Sequence, residues 1–466
     1  MSTFGMTHKT ATKVACVQLK SDAESMQPVF CIVQMKHITV IGSGITGLAS
    51  AYLLAQSGQY RVTLLEANDY FGGHSNAVDV KLDGAQYPVD TGFLVFNHKT
   101  YPNLTALFAH LQIETPDSDM SFGLSIATQN GAIEWAGDNL RTVFAQKKNV
   151  FKLPFLNMLA DIFRFGHFAD DYLREAERDG LTLGALLDRH RYSQAFQRYY
   201  MLPMGAAIWS TAVADIRDFP AASFIRFCQN HVLLTVKGRP QWKTVGGSSR
   251  QYVQAIVRRL DDARLSHRVT GLTRHPDHIS LDIATPNGHV THQTDLVVFA
   301  CHTDQALNIL DQAALPAERQ VLQAIRYAPN EAFLHTDISQ MPKDRKVWSS
   351  WNYVSSLEQH DEQPVAVTYW LNRLQPLPFR TPLMVTLNPI KPIDPRKILA
   401  RFEYEHPQMD HDALRAQQKL ADIQGLDRCY FAGAWAGYGF HEDGLKAALR
   451  VVKALGAPIP WTAVLS

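Results

Sequence analysis

The chain has 466 residues, 46% hydrophobic and 19% charged, a globular composition with room for two or three domains. Lys and Arg number 45 against 44 Asp and Glu, and the net charge of +1 excludes nucleic acid as the main partner. Cys16, Cys31, Cys228, Cys301 and Cys429 show neither zinc nor redox spacing, and no apolar run approaches the ~18 residues of a membrane span. We therefore expect reduced thiols in a cytoplasmic protein.

Residues 1–34 have no clear period. They lack Arg, contain Asp22 and Glu24, and have no long apolar core, so they suit neither a mitochondrial nor a secretory leader. Met35 reads as a natural start, and 1–34 as an extraneous or disordered tail.

An apolar strand is expected at Ile38–Ile41, followed by Gly42-Ser-Gly44-Ile45-Thr46-Gly47 and a helical pattern from Leu48 to Leu54 that Gly58 ends. A second strand, Val62–Leu65, stops at Glu66. Strand, glycine turn, helix, strand and acid together make a dinucleotide-binding unit. Gly42 permits the tight turn, Gly44 lets the backbone approach a pyrophosphate, and Gly47 lets the helix pack on the sheet. The helix N-terminus, with Ile45 and Thr46, offers free N–H groups to phosphate. Glu66, and Ala67 after it, stand where an adenosine ribose would lie, and the carboxylate would repel a 2′-phosphate.

Gly72-Gly73-His74 is a second glycine signal that a simple NAD domain does not need. Tyr87-Pro-Val-Asp90-Thr-Gly92-Phe93 follows. Residues 101–235 read as helical and aromatic. Within them, 151–173 carry Phe and Leu at helical spacing, with Arg141, Lys147, Lys148 and Lys152 close by. Two readings stand there: a core helix with a solvated basic edge, or a helix facing a membrane. Trp242 and Lys243 precede Val245-Gly246-Gly247-Ser248, which opens a helix through Tyr252, Ile256 and Leu260. Strands are expected at Ile279–Ile283, Leu296–Ala300, Val365–Leu371, Leu383–Leu387 and Cys429–Ala432. The last leads through Gly433-Ala434-Trp435-Ala-Gly437-Tyr438 to a helix from about Asp443 to Leu455. No Ser/His/Asp constellation, metal-ligand cluster or covalent-flavin cysteine motif is found.

The glycine motif, the Gly72-Gly73 segment and the Gly433–Gly444 segment, in this order, resemble the flavin amine oxidase superfamily, which includes protoporphyrinogen oxidases and carotenoid desaturases. The resemblance runs from about Met35 to Gly456. Trp348–Tyr353, Thr368–Leu374, Val385–Pro389 and Gly439–Gly444 resemble a bacterial subgroup of predicted NAD/FAD-binding proteins, with a hint of lipid chemistry.

The resemblance implies an α/β fold: a Rossmann-like FAD-binding domain with a discontinuous α+β substrate domain. The FAD-binding domain would comprise 35–100, 236–310 and 420–461, and the substrate domain 101–235 and 311–419. FAD would bind non-covalently. Gly42, Gly44 and Gly47 would hold its pyrophosphate and Glu66 its ribose. Gly72, Gly73 and His74 would pass the phosphates, where relatives more often carry Arg. Gly92 and Phe93 would approach the isoalloxazine, Val269 the adenine, and Gly433 and Ala434 the ribityl phosphate. His441, Glu442, Asp443 and Gly444 would point at the pyrimidine ring.

His441 stands where amine oxidases often carry Tyr, and is the candidate catalytic residue. Trp242, Trp435 and Tyr438 are candidate substrate contacts, with simple core packing the alternative for each. The strand region Tyr327–Phe333 lacks the lysine of amine oxidases. The function implied is an FAD-dependent oxidoreductase that takes hydride from a substrate C–H to flavin N5 and passes electrons to oxygen or another acceptor. Desaturation of an apolar lipid or isoprenoid leads. Amine oxidation, and a non-catalytic partner-binding or lipid-carrying flavoprotein, are the alternatives.

Overall fold

The computed structural model describes residues 35–129, 131–234, 238–355 and 365–465, together with the paired backbone of Val14–Ala15 and Phe30–Cys31. The expectation for the rest of 1–34 lies outside the described residues.

The run Lys36–Ile41 forms the central strand of a five-stranded parallel sheet. Its neighbours are Tyr60–Leu65 on one side and Leu296–Phe299 on the other; Asp262–Arg264 and Cys429–Phe431 form the edges. Ile38, Val40, Leu64 and Val298 are buried on one face and Leu65, Val297 and Phe299 on the other, as a parallel sheet covered on both faces requires. The register aligns the strand ends. Ile41 lies opposite both Leu65 and Phe299, and Phe299 lies opposite Phe431. Gly42, Glu66, Ala300 and Ala432 therefore leave the sheet along one edge, the carboxyl edge at which open α/β sheets bind ligands.

Two long helices cover one face. Ile45–Gln56 and His441–Ala454 come so close that a Cβ on Gly444 would lie 2.8 Å from Thr46 Oγ1. Thr46 Oγ1 donates to the Gly444 carbonyl at 2.9 Å. The helix Pro102–His110 packs into this same core through Leu104, Leu107 and Phe108.

A second, seven-stranded sheet runs in the order 131–136, 122–128, 351–354, 366–370, 384–387, 327–335, 398–407. The hairpin Phe122–Thr128 and Gly131–Ala136 lies in a stretch expected to be helical. Its alternating apolar residues give it a face to bury: Leu124, Ile126 and Trp135 join the core formed by the helices that follow. The expected helical run at 151–173 is two helices, Leu153–His167 and Ala169–Asp179, meeting at Phe168. Among the described residues no helix is long and apolar enough to cross a membrane.

Candidate functional site

Three glycine turns converge at the carboxyl edge of the parallel sheet. Gly42 leaves the first strand at φ +97°, with its amide N–H donating to the Leu65 carbonyl at 2.8 Å. A Cβ on Gly47 would lie 1.8 Å from the Gly42 carbonyl oxygen, so no other residue fits there. Gly72 and Gly73 follow the second strand at φ +123° and +57°. A Cβ on Gly73 would sit 3.2 Å from Gly44 Cα, which brings the second glycine turn against the first. Gly92 faces His74: its Cβ would lie 2.2 Å from the His74 carbonyl, which accepts from the Phe93 N–H at 2.8 Å.

The helix that starts at Ile45 has no side-chain cap and no acid in its first turn. Its first N–H groups and the positive end of its dipole thus face the crevice between the glycine turns, an anion site built from backbone. Glu66 is buried beside it. Its Oε2 accepts from Ser43 N–H at 2.9 Å and Ser43 Oγ at 2.6 Å, and its Oε1 from Asn68 N–H at 2.9 Å. Oε1 keeps a lone pair for a further donor, while Oε2 is filled by Ser43. The strand that carries Val269 continues from this point: Glu66 N–H donates to the Arg264 carbonyl, and His267 N–H to the Glu66 carbonyl. Ala67 is the half-buried residue between these contacts.

His74 stacks on Tyr404 with ring centroids 4.9 Å apart, and His406 lies 5.5 Å away. His74 Nε2 is buried with no hydrogen-bond partner in the described structure. Burial first, then the neighbouring His406, His302 and His441, hold its pKa well below the usual value. Burial likewise lowers His406 to about 4. Among the described residues no group of three His, Cys, Asp or Glu is arranged to hold a metal.

His441 opens the last helix. Its ring stacks face to face on Phe93 at 3.8 Å and 14°. Its Nε2 is 2.9 Å from Ser75 Oγ and 3.3 Å from Tyr252 Oη, and the two hydroxyls are bonded to each other. Burial lowers its pKa to about 3, so the ring is neutral at physiological pH. Ser75 also lines a cavity of about 430 Å³ between residues 70–77 and the helix Arg250–Val257. Sequence reasoning missed Ser43, Ser75 and Tyr252. Ser43 and Ser75 sit inside or beside the glycine motifs, where a hydroxyl is the one donor that could serve a neighbouring side chain.

Four of the expected site residues are engaged by partners within the protein. Glu442 faces away from the glycine crevice: its carboxylate takes Asn103 N–H, Asn103 Nδ2 and Leu104 N–H at 2.7–3.0 Å, and so caps the helix Pro102–His110. The Asp443 carboxylate accepts from Tyr438 N–H and Phe440 N–H at 3.1 Å, fixing the glycine-rich turn. Gly444 is a helix-packing glycine against Thr46 and Ile45. Trp435 is 3% exposed, and its Nε1 donates to the Cys301 carbonyl at 3.2 Å, so it is a core residue under the turn and not a substrate contact. A Cβ on Gly433 would lie 2.1 Å from that Nε1, which explains the glycine there. Ala434 is half-buried in the same turn.

Tyr438 faces the helical region, edge-on to Phe227 at 5.6 Å, while Phe440 stacks on Phe227 at 5.0 Å. Trp242 lies in a two-residue strand between Phe96–Asn97 and Asp117–Ser118, edge-on to Tyr101 at 6.4 Å. The structure brings together Gly42, Gly44, Glu66, Gly73, His74, Gly92, Phe93 and His441; no contact joins Trp242 to His441.

Residues 45–350 match the family described as flavin containing amine oxidoreductase. The chain belongs to that family. Its fold is that of the family's FAD-binding proteins. It is 31% identical over 128 residues to carotenoid phi-ring synthase of Chlorobaculum tepidum, a match covering 26% of this chain and 20% of that protein. It is 30% identical over 128 residues to 1-hydroxycarotenoid 3,4-desaturase of Flavobacterium sp., covering 25% and 24%. The match thus spans a fifth to a quarter of the length of these relatives. The CLA-producing fatty acid isomerase from P. acnes shares the fold, with a TM-score of 0.62, 14% identity, and coverage of 90% of this chain and 98% of that one.

The residues fit FAD. Gly42, Gly47 and Gly72 leave no room for side chains, a Cβ on Gly44 would point into open space, the leading helix is uncapped, and His74 Nε2 is a buried polar atom without a partner among the described residues. When bound, FAD supplies a hydride acceptor. The residues of this chain would supply backbone donors for phosphate and a carboxylate for ribose, beside a neutral imidazole fixed by Phe93 and Ser75.

Proposed function

We propose that this flavoprotein binds FAD non-covalently and oxidises a C–H bond of an apolar substrate, with desaturation of a lipid or isoprenoid as the reaction. In this reading, Gly42, Gly44, Gly47, Gly72, Gly73 and the helix N-terminus at Ile45–Thr46 hold the pyrophosphate. Glu66 holds the ribose, Val269 the adenine, and the stacked pair Phe93–His441 lies to one side of the flavin. Oxygen or another acceptor takes the electrons.

The observation that carries the reading is the surroundings of His441. An apolar ring covers it, two hydroxyls hold it, and the next two carboxylates in the chain, Glu442 and Asp443, are both turned onto backbone N–H groups. An ammonium substrate would find no free carboxylate from this segment. Burial holds the His441 pKa near 3, which makes it a weak base suited to hydrogen bonding to the flavin edge or substrate rather than to proton abstraction. The strand Tyr327–His335 adds no lysine. The carotenoid relatives, through their printed activities, point to the same substrate class.

The test is anaerobic titration of the purified holoprotein with a total lipid extract, then with a polyamine panel, following the flavin band near ~450 nm. Bleaching by lipid, with a product lighter by two hydrogens, supports desaturation. Bleaching by amines alone replaces it with amine oxidation, the second reading, which the family's description favours.

A further inference from the structure

The segment Leu140–Phe168 exposes more large apolar side chains than any other stretch of the described chain. Phe151 is 89% exposed, Leu140 76%, Leu153 68% and Phe163 63%; Val150, Leu156 and Phe168 are also open. This is not loose packing. The helix Leu153–His167 buries Phe155, Met158 and Phe165 on its inner face. Phe155 meets Trp135 and Phe144 edge-on, each at 6.1 Å. Asp161 accepts from Ser193 N–H at 2.9 Å, and the Arg164 guanidinium lies 4.0 Å over the Tyr192 ring. The helix is fixed, and its outer stripe of Leu153, Leu156, Ala160 and Phe163 is held in the open.

The adjoining helix gives the contrast. Ala169–Asp179 buries Tyr172 and Ala176, and presents Asp170, Asp171, Arg174, Glu177 and Arg178 to solvent. That is the ordinary outer face of an amphipathic helix. The Leu153–His167 helix departs from it one turn away.

From Asn139 to Ala160 the charges have one sign. Between Asn139 and Ala160 there is no Asp or Glu, while Arg141, Lys147, Lys148 and Lys152 all fall there. Arg141, Lys147 and Lys148 are exposed, and among the described residues no carboxylate pairs with them. Lys147 and Lys148 lie in the short 3-10 turn that ends at Phe151, so the cations sit beside the most exposed ring.

We propose that this face docks on an anionic lipid bilayer. Phe151, Leu153, Leu156 and Phe163 enter the headgroup–acyl boundary while Arg141, Lys147 and Lys148 meet lipid phosphates. A bilayer suits the stripe because it accepts apolar side chains without shape complementarity and supplies the negative charge that the segment lacks. The docking is peripheral. It does not depend on which substrate the flavin oxidises.

The experiment is co-sedimentation of the FAD-loaded full chain with vesicles of phosphatidylcholine alone and with one-third phosphatidylglycerol. We expect tenfold or tighter binding to the anionic vesicles, weakened by high salt. The surface variant F151S/L153S and the charge variant K147E/K148E each lower anionic-vesicle binding by about tenfold or more, since one cation near such a surface contributes about 1 kcal/mol. Both variants keep the flavin absorbance of the parent, which shows that they fold. Absence of vesicle binding by the parent overturns the proposal. So does full binding by either variant. Concentration-dependent dimerisation that F151S/L153S abolishes, without vesicle binding, overturns it in favour of a second copy of the chain.

Discussion

Glu442 and Asn103 are joined twice: Glu442 Oε1 accepts from the Asn103 N–H at 3.0 Å and from Asn103 Nδ2 at 2.7 Å. Its Oε2 takes the Leu104 N–H at 2.9 Å. A carboxylate from the last helix thereby caps another helix through Asn103, 339 residues earlier in the chain. Asn103 also pairs with the backbone of Val464, so the cap ties in the C-terminal segment.

This arrangement makes Glu442 a stability residue. Glu442→Gln places an amide donor against N–H donors and removes the charge that suits a helix N-terminus. We expect a loss of about 1–3 kcal/mol in denaturant unfolding, with the visible flavin spectrum and the FAD dissociation constant unchanged. A weakened FAD site with unaltered stability would reverse the assignment.

Glu66 behaves in the opposite way. Its two oxygens receive three donors from Ser43 and Asn68. Glu66→Gln can satisfy only one side, and it loses the acceptor for ribose hydroxyls. The expected result is FAD affinity lower by roughly tenfold to a hundredfold, from about 1–3 kcal/mol of unpaired polar groups. Fluorescence titration of the apoprotein with FAD reads this directly.

Gly73→Ala tests the convergence of the two glycine turns. The added Cβ would meet Gly44 Cα at 3.2 Å while the backbone stays at φ +57°. The turn must shift away from the first loop. We expect the protein to purify largely without flavin, with a melting temperature lowered by a few degrees for a cost of about 1 kcal/mol or more. Full retention of FAD would show that the turns do not share a ligand.

His441→Phe should keep the stacking on Phe93 and lose the hydrogen bonds to Ser75 and Tyr252. The expected outcome is retained FAD and a turnover number lower by about tenfold or more, on the order of 1.4 kcal/mol. Because burial holds the His441 pKa near 3, neither parent nor variant should show a kinetic pKa from this residue between pH 5 and 8. A parent pKa near 6.5 that the variant lacks would make His441 a titrating base.

Stability should fall on acidification. Burial lowers His37, His231, His335 and His406 to about 4 and His441 to about 3, and holds His74 well below 6.5. The unfolded chain binds protons at these sites below about pH 6.5 while the folded one does not, so their stabilisation is present above that pH and lost as pH falls towards their folded values. Burial raises Asp90 to about 7 and Asp443 to about 6, which acts with the opposite sign between about pH 4 and 7. Six histidines outweigh these two acids. The melting temperature should decline from pH 7 to pH 4.5; a rise over that range would contradict the balance.

The dinucleotide unit was legible in the sequence because every part of it is local. A strand, a glycine turn, a helix and an acid at Glu66 lie within thirty-one consecutive residues and fold as neighbours. The same holds for the last strand and helix. What could not be read was direction. Glu442 and Asp443 stand at a helix N-terminus, and only the tertiary placement of Asn103 and the curl of the turn decide where the carboxylates point. Trp435 looked like a cavity wall because its turn is glycine-rich, but the missing Cβ of Gly433 is what lets its indole fold inward. The His74–His406 proximity joins residues from opposite ends of the chain. The hairpin at 122–136 had a usable signal, Asn130-Gly131 between alternating apolar residues, hidden by the helical stretch around it.

The strand order of the parallel sheet bears on how the protein is made. As the chain emerges from the ribosome, Lys36–Ile41 can pair with Tyr60–Leu65 at once, yet its other edge waits for Leu296–Phe299, and that strand waits for Cys429–Phe431. The residues of the glycine turns are thus made early, but the strands that flank them are complete only when synthesis is nearly finished. Retention of the yellow cofactor then serves as a test of whether the whole polypeptide was delivered, and a ribosome that stops short of Cys429 yields a product recognisable by its lack of colour.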